Sequence, residues 1–119
     1  MTWLEGMALT SDIGPSWGHG EFGGPPADRQ VHLRERSPLT GAARVRTPLL
    51  LYHGESDLRV PIAQSEAFLA AVTAAGGEAE LLRVPGEGHV LPSDASPVHA
   101  RVVREAILAF LAHHLRPEA

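Results

Sequence analysis

The sequence predicts an α/β fold built on a parallel sheet, and three observations carry that reading. A short continuous apolar run at 48–52 and a second short stretch at 80–84 have the length of strands. Each is followed by a longer stretch whose apolar residues recur at helical spacing. Ahead of them, residues 1–46 are broken so often by glycine and proline that neither a long helix nor a long strand fits. The expected organisation is one partial domain over 1–119. It divides into an irregular, lid-like segment at 1–46 and a strand-helix-strand-helix core at 47–119.

In the first segment, Gly14-Pro15 and Gly23-Gly24-Pro25-Pro26 punctuate the backbone, and only a short helical turn near 27–34 is expected. Pro48-Leu49-Leu50-Leu51-Tyr52, closed by His53-Gly54, reads as a strand covered on both faces, the pattern of parallel sheets. Over 62–75, Ile62, Phe68, Leu69 and Val72 fall near helical spacing. Pro61 suits the first helical position and Gly76-Gly77 the stop. Glu80-Leu81-Leu82-Arg83-Val84 is the second strand, ended by Pro85-Gly86. Over 98–115, Val102, Val103, Ala106, Ile107, Phe110 and Leu111 mark an amphipathic helix. Phe68, Ile107 and Phe110 are core by this spacing. A helix between two neighbouring strands implies parallel pairing through a right-handed crossover.

With 119 residues, 44% of them hydrophobic, and a mean hydropathy of -0.04, the chain is ordinary globular material, one domain or part of one. The formal net charge is -4 and the ten positive residues, all Arg, are spread along the chain, which argues against a nucleic-acid-binding face. The lack of cysteine excludes disulfides, thiolate metal sites and a cysteine nucleophile. The N-terminal run Met1-Thr2-Trp3-Leu4-Glu5-Gly6 has neither the basic nor the apolar region of a signal peptide. No apolar run approaches the roughly 20 residues a membrane span needs. A cytoplasmic location with no membrane partner is expected.

In parallel sheets of this kind, functional groups gather at the carboxyl ends of the strands. That rule selects the loops at 54–61 and 85–97. The first carries Asp57 and the second His89, 32 positions apart. A carboxylate and an imidazole brought together at one sheet edge suit a Ser-His-acid site. There the acid fixes the imidazole tautomer and stabilises the imidazolium formed as serine is deprotonated. Imidazole suits the role because its ordinary pKa, about 6.5, lies near neutrality. Read singly, Asp57 also suits a cap for the helix beginning near Pro61, and His89 a solvated loop residue.

The other histidines carry less. His53 ends a buried strand, where a hydrogen-bonded structural imidazole is expected. His19 and His32 lie in the irregular segment. His99 stands at the start of the last helix, and His113-His114 at its end, where a positive side chain favours the helix dipole. No H-E-x-x-H or comparable ligand spacing occurs, so neither a metal nor a cofactor is expected. Arg59, beside the acid loop, could bind a carboxylate but is read as one half of a surface ion pair, and Glu87 as a residue that shapes the turn before His89.

Three stretches are recognisable together: Thr47-Pro48-Leu49-Leu50-Leu51-Tyr52-His53-Gly54-Glu55-Ser56-Asp57-Leu58-Arg59-Val60-Pro61, then Gln64-Ser65, then Pro85-Gly86-Glu87-Gly88-His89. They resemble the C-terminal end of the prolyl-oligopeptidase family, most of all its acylaminoacyl-peptidase branch, serine peptidases with an α/β-hydrolase catalytic domain. Thr10-Ser11-Asp12-Ile13-Gly14, Glu21-Phe22-Gly23-Gly24-Pro25 and Ser37-Pro38-Leu39-Thr40 resemble the same branch, so the likeness runs from about Thr10 to Leu115. It implies that the core is the C-terminal strand-helix-strand-helix portion of an α/β-hydrolase fold. It further implies that Asp57 is the triad acid and His89 the triad base. The family's serine lies on a G-x-S-x-G turn between a strand and a helix, well upstream of the acid. The chain is expected to begin too late to contain that turn.

One string does match: Gly14-Pro15-Ser16-Trp17-Gly18. Its context fails, because Trp17-Gly18-His19-Gly20-Glu21-Phe22-Gly23-Gly24-Pro25-Pro26 follows where a helix should begin. Ser16 is therefore read as a decoy and the nucleophile as absent.

The leading expectation is the C-terminal part of a serine-type peptidase or acyl-peptide hydrolase, with little turnover by itself and a peptide or acyl-peptide substrate once completed. Two alternatives stay open. One is another α/β hydrolase, of carboxylesterase or dienelactone-hydrolase type. The other is a non-catalytic, truncated remnant or interaction module. In any of these the first strand would lack its inner neighbour, and an exposed parallel edge invites self-association.

Overall fold

The computed structural model describes Gly23 and residues 30–115. In chain order these form α1 (Gln30–Glu35), α2 (Pro38–Gly41), a 3-10 turn (Ala42–Arg44), β1 (Leu49–Gly54), α3 (Ala63–Ala74), β2 (Ala79–Val84) and α4 (Pro97–His114). The strand-helix-strand-helix order expected of 47–119 is present.

β1 and β2 pair in parallel, with Leu49 opposite Ala79 and Gly54 opposite Val84. The register decides the rest. Because the two strands end level, the loops that follow them leave the same edge of the sheet. The Glu55 N–H continues the pairing past the strand ends by donating to the Val84 carbonyl at 3.0 Å.

Glycine stops α3 as expected. Gly76 takes a φ of 82°, a left-handed conformation that glycine adopts without steric penalty. Its N–H donates to the Thr73 carbonyl at 3.0 Å while the Gly77 N–H donates to the Val72 carbonyl at 2.9 Å, the pair of bonds that closes a Schellman end. At the other end Pro61 is not the first helical residue. Ile62 is the N-cap, and the Pro61 carbonyl accepts the Gln64 N–H at 2.9 Å in a turn leading into the helix. α4 begins on Ser96, whose hydroxyl accepts the His99 N–H at 3.3 Å, with Pro97 in the first turn where its missing N–H costs nothing.

Two expectations need correction. Residues 30–44, assigned to the irregular segment, are largely helical, and the short turn expected near 27–34 extends from Gln30 to Glu35. Leu33 and Ala42 from this stretch are buried. Segments of four to six residues are too short to show a helical period, which is why the pattern misses them. Second, β1 is not covered on both faces among the described residues: Tyr52 is 39% exposed and its neighbours are half-buried. The buried stripe of α4 is likewise narrower than its apolar pattern. Val103 is fully buried, Ile107 and Phe110 are intermediate, and Val102 and Leu111 are exposed. The two strands and few helices among the described residues have too little surface to cover every apolar face that the sequence provides.

The core proper consists of Leu33, Ala42, Val60, Val72, Val84, Ala100 and Val103. Val60 and Val84 lie beside the two loops, so the site rests on packed residues.

Candidate active site

Gly54 brings the loops together. A β-carbon there would collide with the carbonyl oxygens of Glu87 and Gly88 and stand 2.6 Å from the Glu87 carbonyl carbon. Lacking one, the end of β1 lets the backbone at 87–88 lie against it. The Ser56 N–H then donates to the Glu87 carbonyl at 3.0 Å, stitching the acid loop to the base loop. Gly86, with a φ of 71°, supplies the left-handed residue that turns the chain after β2.

In this frame the Asp57 carboxylate is nearly buried, its side chain 4% exposed. One oxygen, Oδ1, accepts the backbone N–H groups of Arg59 at 2.9 Å and Val60 at 2.8 Å. The other, Oδ2, accepts the His89 Nδ1–H at 2.9 Å. Burial pushes the carboxyl up, but the Val60 N–H, the His89 ring, the Arg59 N–H and the charge of His89 outweigh it. Together they hold Asp57 below its ordinary value. The acid is therefore a fixed anion with one oxygen spent on its own loop and one turned to the imidazole. The capping alternative for Asp57 is not met: α3 has Ile62 at its N-cap with no side-chain bond, and Asp57 instead ties down its own turn through Arg59 and Val60.

The His89 side chain is 43% exposed. With Nδ1–H committed to the carboxylate, Nε2 carries the lone pair, and that is the arrangement a general base requires. The two residues singled out from sequence are brought together. Ser16, expected from its sequence context to be a decoy, lies outside the described residues, as does His19.

His53 is the hydrogen-bonded structural imidazole expected. Its Nε2 lies 2.8 Å from the Val60 carbonyl, which can only accept, so Nε2 bears the proton and Nδ1 accepts from the Ser65 hydroxyl at 2.7 Å. The same Nε2 stands 3.4 Å from Asp57 Oδ2. It thereby joins β1, the acid loop and α3 behind the carboxylate. Arg59 serves the site through its backbone, and Glu87 does more than shape a turn: its carboxylate accepts from the Ser96 N–H and from His99. Sequence reading missed Gly54 and the Glu87–His99 pair. The adjacency of glycine to a strand end signalled the first, and nothing in the residue spacing signalled the second.

Beside the pair lies a cavity of about 520 Å³, whose lining includes Leu39, Tyr52, Phe68, Leu91 and Arg36 as well as Asp57 and His89. No described helix is long and apolar enough to cross a membrane.

A family model described as the prolyl oligopeptidase family matches residues 1–118. An uncharacterized peptidase, YuxL, of Bacillus subtilis is 46% identical over 65 residues, 55% of this chain and 10% of its own length. The dipeptidyl aminopeptidase BIII of Pseudoxanthomonas mexicana is 32% identical over 108 residues, 85% of this chain and 16% of its own. Among solved structures, the acylaminoacyl peptidase of Pyrococcus horikoshii superposes with a TM-score of 0.84 at 29% identity, covering 99% of this chain and 19% of that one. The chain thus spans less than a fifth of the length of each of these three proteins.

Proposed function

The chain belongs to the prolyl oligopeptidase family and has a partial α/β-hydrolase fold, and on that footing we propose that Asp57 and His89 are the acid and base of a Ser-His-Asp triad. The observation that carries this is the 2.9 Å contact from His89 Nδ1 to a nearly buried Asp57 carboxylate, in an imidazole whose side chain is 43% exposed. In the reaction, the serine hydroxyl attacks a peptide or acyl-peptide carbonyl as His89 Nε2 takes its proton. His89 then returns that proton to the leaving amine, and Asp57 holds the imidazolium between the two transfers.

The glycine- and proline-rich run after Ser16 does not suit a nucleophile turn, so none of the serines of these 119 residues is assigned that role. The 119 residues by themselves therefore turn over little or no substrate. In this fold the oxyanion hole uses the N–H following the nucleophile, so that stabilisation is missing with it.

A serine-reactive phosphonate added to the purified 119-residue chain should leave every serine unlabelled. Stoichiometric labelling at Ser16 would overturn the assignment of the nucleophile. NMR of the imidazole nitrogens should show His89 protonated at Nδ1, and an Nε2–H tautomer would sink the pairing. In a polypeptide that includes the nucleophile, turnover of acyl-peptides over simple esters favours the peptidase reading. The reverse preference favours the esterase one.

A further inference from the structure

Glu87 closes the loop that carries His89. Its Oε1 accepts the Ser96 N–H at 3.0 Å and the His99 Nδ1–H at 2.6 Å, so one carboxylate oxygen ties the start of the loop to the start of α4, nine positions on. The Glu87 backbone holds the other side. Its carbonyl accepts the Ser56 N–H from the acid loop at 3.0 Å, and its own N–H reaches the Val84 carbonyl at 3.4 Å. The carboxylate is 14% exposed. The His99 hydrogen bond, followed by the Ser96 N–H, holds its carboxyl below the ordinary glutamate value against the opposing effect of burial.

Within the loop so closed, the backbone is sparsely bonded. The Asp94 N–H donates to the Val90 carbonyl at 3.0 Å, while Val90 and the His89 side chain are exposed at 44% and 43%. An exposed ring on a sparsely bonded loop keeps one orientation only if the loop ends are fixed, because each added degree of freedom lowers the share of the productive geometry.

We propose that Glu87 is a positioning residue for His89: its carboxylate, clasped to Ser96 and His99, holds the loop so that the ring presents Nδ1–H to Asp57. The proposal rests on reading Asp57 and His89 as the acid-base pair, and its test separates the two.

The test is NMR on the full 119-residue chain, wild type beside Glu87→Ala, Glu87→Gln and His99→Ala, reading the His89 tautomer and amide exchange over 88–95. In Glu87→Ala the tautomer should become mixed and loop exchange should quicken by about tenfold or more, with β1 and β2 still protected. Glu87→Gln keeps an oxygen that accepts both bonds and should retain the wild-type tautomer. Wild-type tautomer and loop exchange in Glu87→Ala would overturn the clasp, as would Glu87→Gln behaving like Glu87→Ala. If Glu87→Ala unfolds, His99→Ala carries the test: tautomer mixing supports the clasp and an unchanged signal overturns it. If wild type itself shows the Nε2–H tautomer, the acid-base reading fails instead, and loop exchange still decides the clasp.

Discussion

The carbonyl oxygen of Glu87 lies too close to the end of β1 for Gly54 to carry a β-carbon. This contact makes the acid and base loops neighbours, because the parallel register only brings their starting points level. Asp57 and His89 come within hydrogen-bonding distance because the backbone of one loop rests directly on the end of the strand that feeds the other.

Gly54→Ala should therefore damage both stability and site. The clash is with backbone, which cannot swing aside as a side chain would, and overpacking of this kind costs about 1–3 kcal/mol. Urea unfolding should show a loss in that range, and the His89–Asp57 hydrogen bond should weaken in the same variant. Gly88→Ala is the control. Nothing lies within 4 Å of its β-carbon position, and its stability should change by no more than about 0.5 kcal/mol.

Asp57→Asn keeps the shape of the acid and removes its charge. The amide oxygen can still accept the Arg59 and Val60 N–H groups, which leaves an NH₂ facing His89 where an acceptor stood. His89 should then adopt the Nε2–H tautomer, visible by imidazole nitrogen NMR. In a polypeptide that supplies the nucleophile, kcat should fall by about 10⁴-fold, the scale seen when a triad acid is replaced by its amide.

Much of this is legible in the sequence itself. An apolar run closed by His53-Gly54 and a short stretch ended by Pro85-Gly86 mark the strands, and the rule that sites collect at strand carboxyl ends selects Asp57 and His89. What the residues do not show is a contact that neither the strand-end rule nor a periodicity selects. Glu87 and His99 are twelve positions apart on a loop and a helix, and no periodicity links them. The helical turns at 30–44 were hidden because they are shorter than the window in which a period can be read. Coverage of β1 and α4 was overestimated for a different reason. An apolar pattern records which face can be buried, whereas burial depends on the elements present to cover it.

His53 offers a test of the support behind the acid. His53→Phe preserves a ring at a site whose side chain is 10% exposed, and deprives the Val60 carbonyl and the Ser65 hydroxyl of their partner. Stranding buried polar groups costs about 1–3 kcal/mol, so thermal or urea unfolding should show a loss of that order. Ser65→Ala removes one partner while leaving the Nε2–H to Val60 intact. Its cost should be near that of one ordinary hydrogen bond, about 1 kcal/mol.

The two carboxylates of the site also fix the direction of its acid sensitivity. Asp57 and Glu87 both lie below their ordinary values in the folded chain. For such groups the unfolded chain takes up protons first as pH falls, beginning near the ordinary carboxyl range of about 4. Their contribution to stability is thus fully present above that range, and it is lost as pH falls through it toward the lower folded values. Between pH 8 and 5 these two groups should give no slope, and below pH 4 stability should drop. Urea unfolding at a series of pH values reads the slope directly. Asp57→Asn combined with Glu87→Gln should start from lower stability at pH 7 and lose less of it on acidification than wild type. An unchanged acid slope in that double variant would show that the native carboxylates are not held by the partners assigned to them.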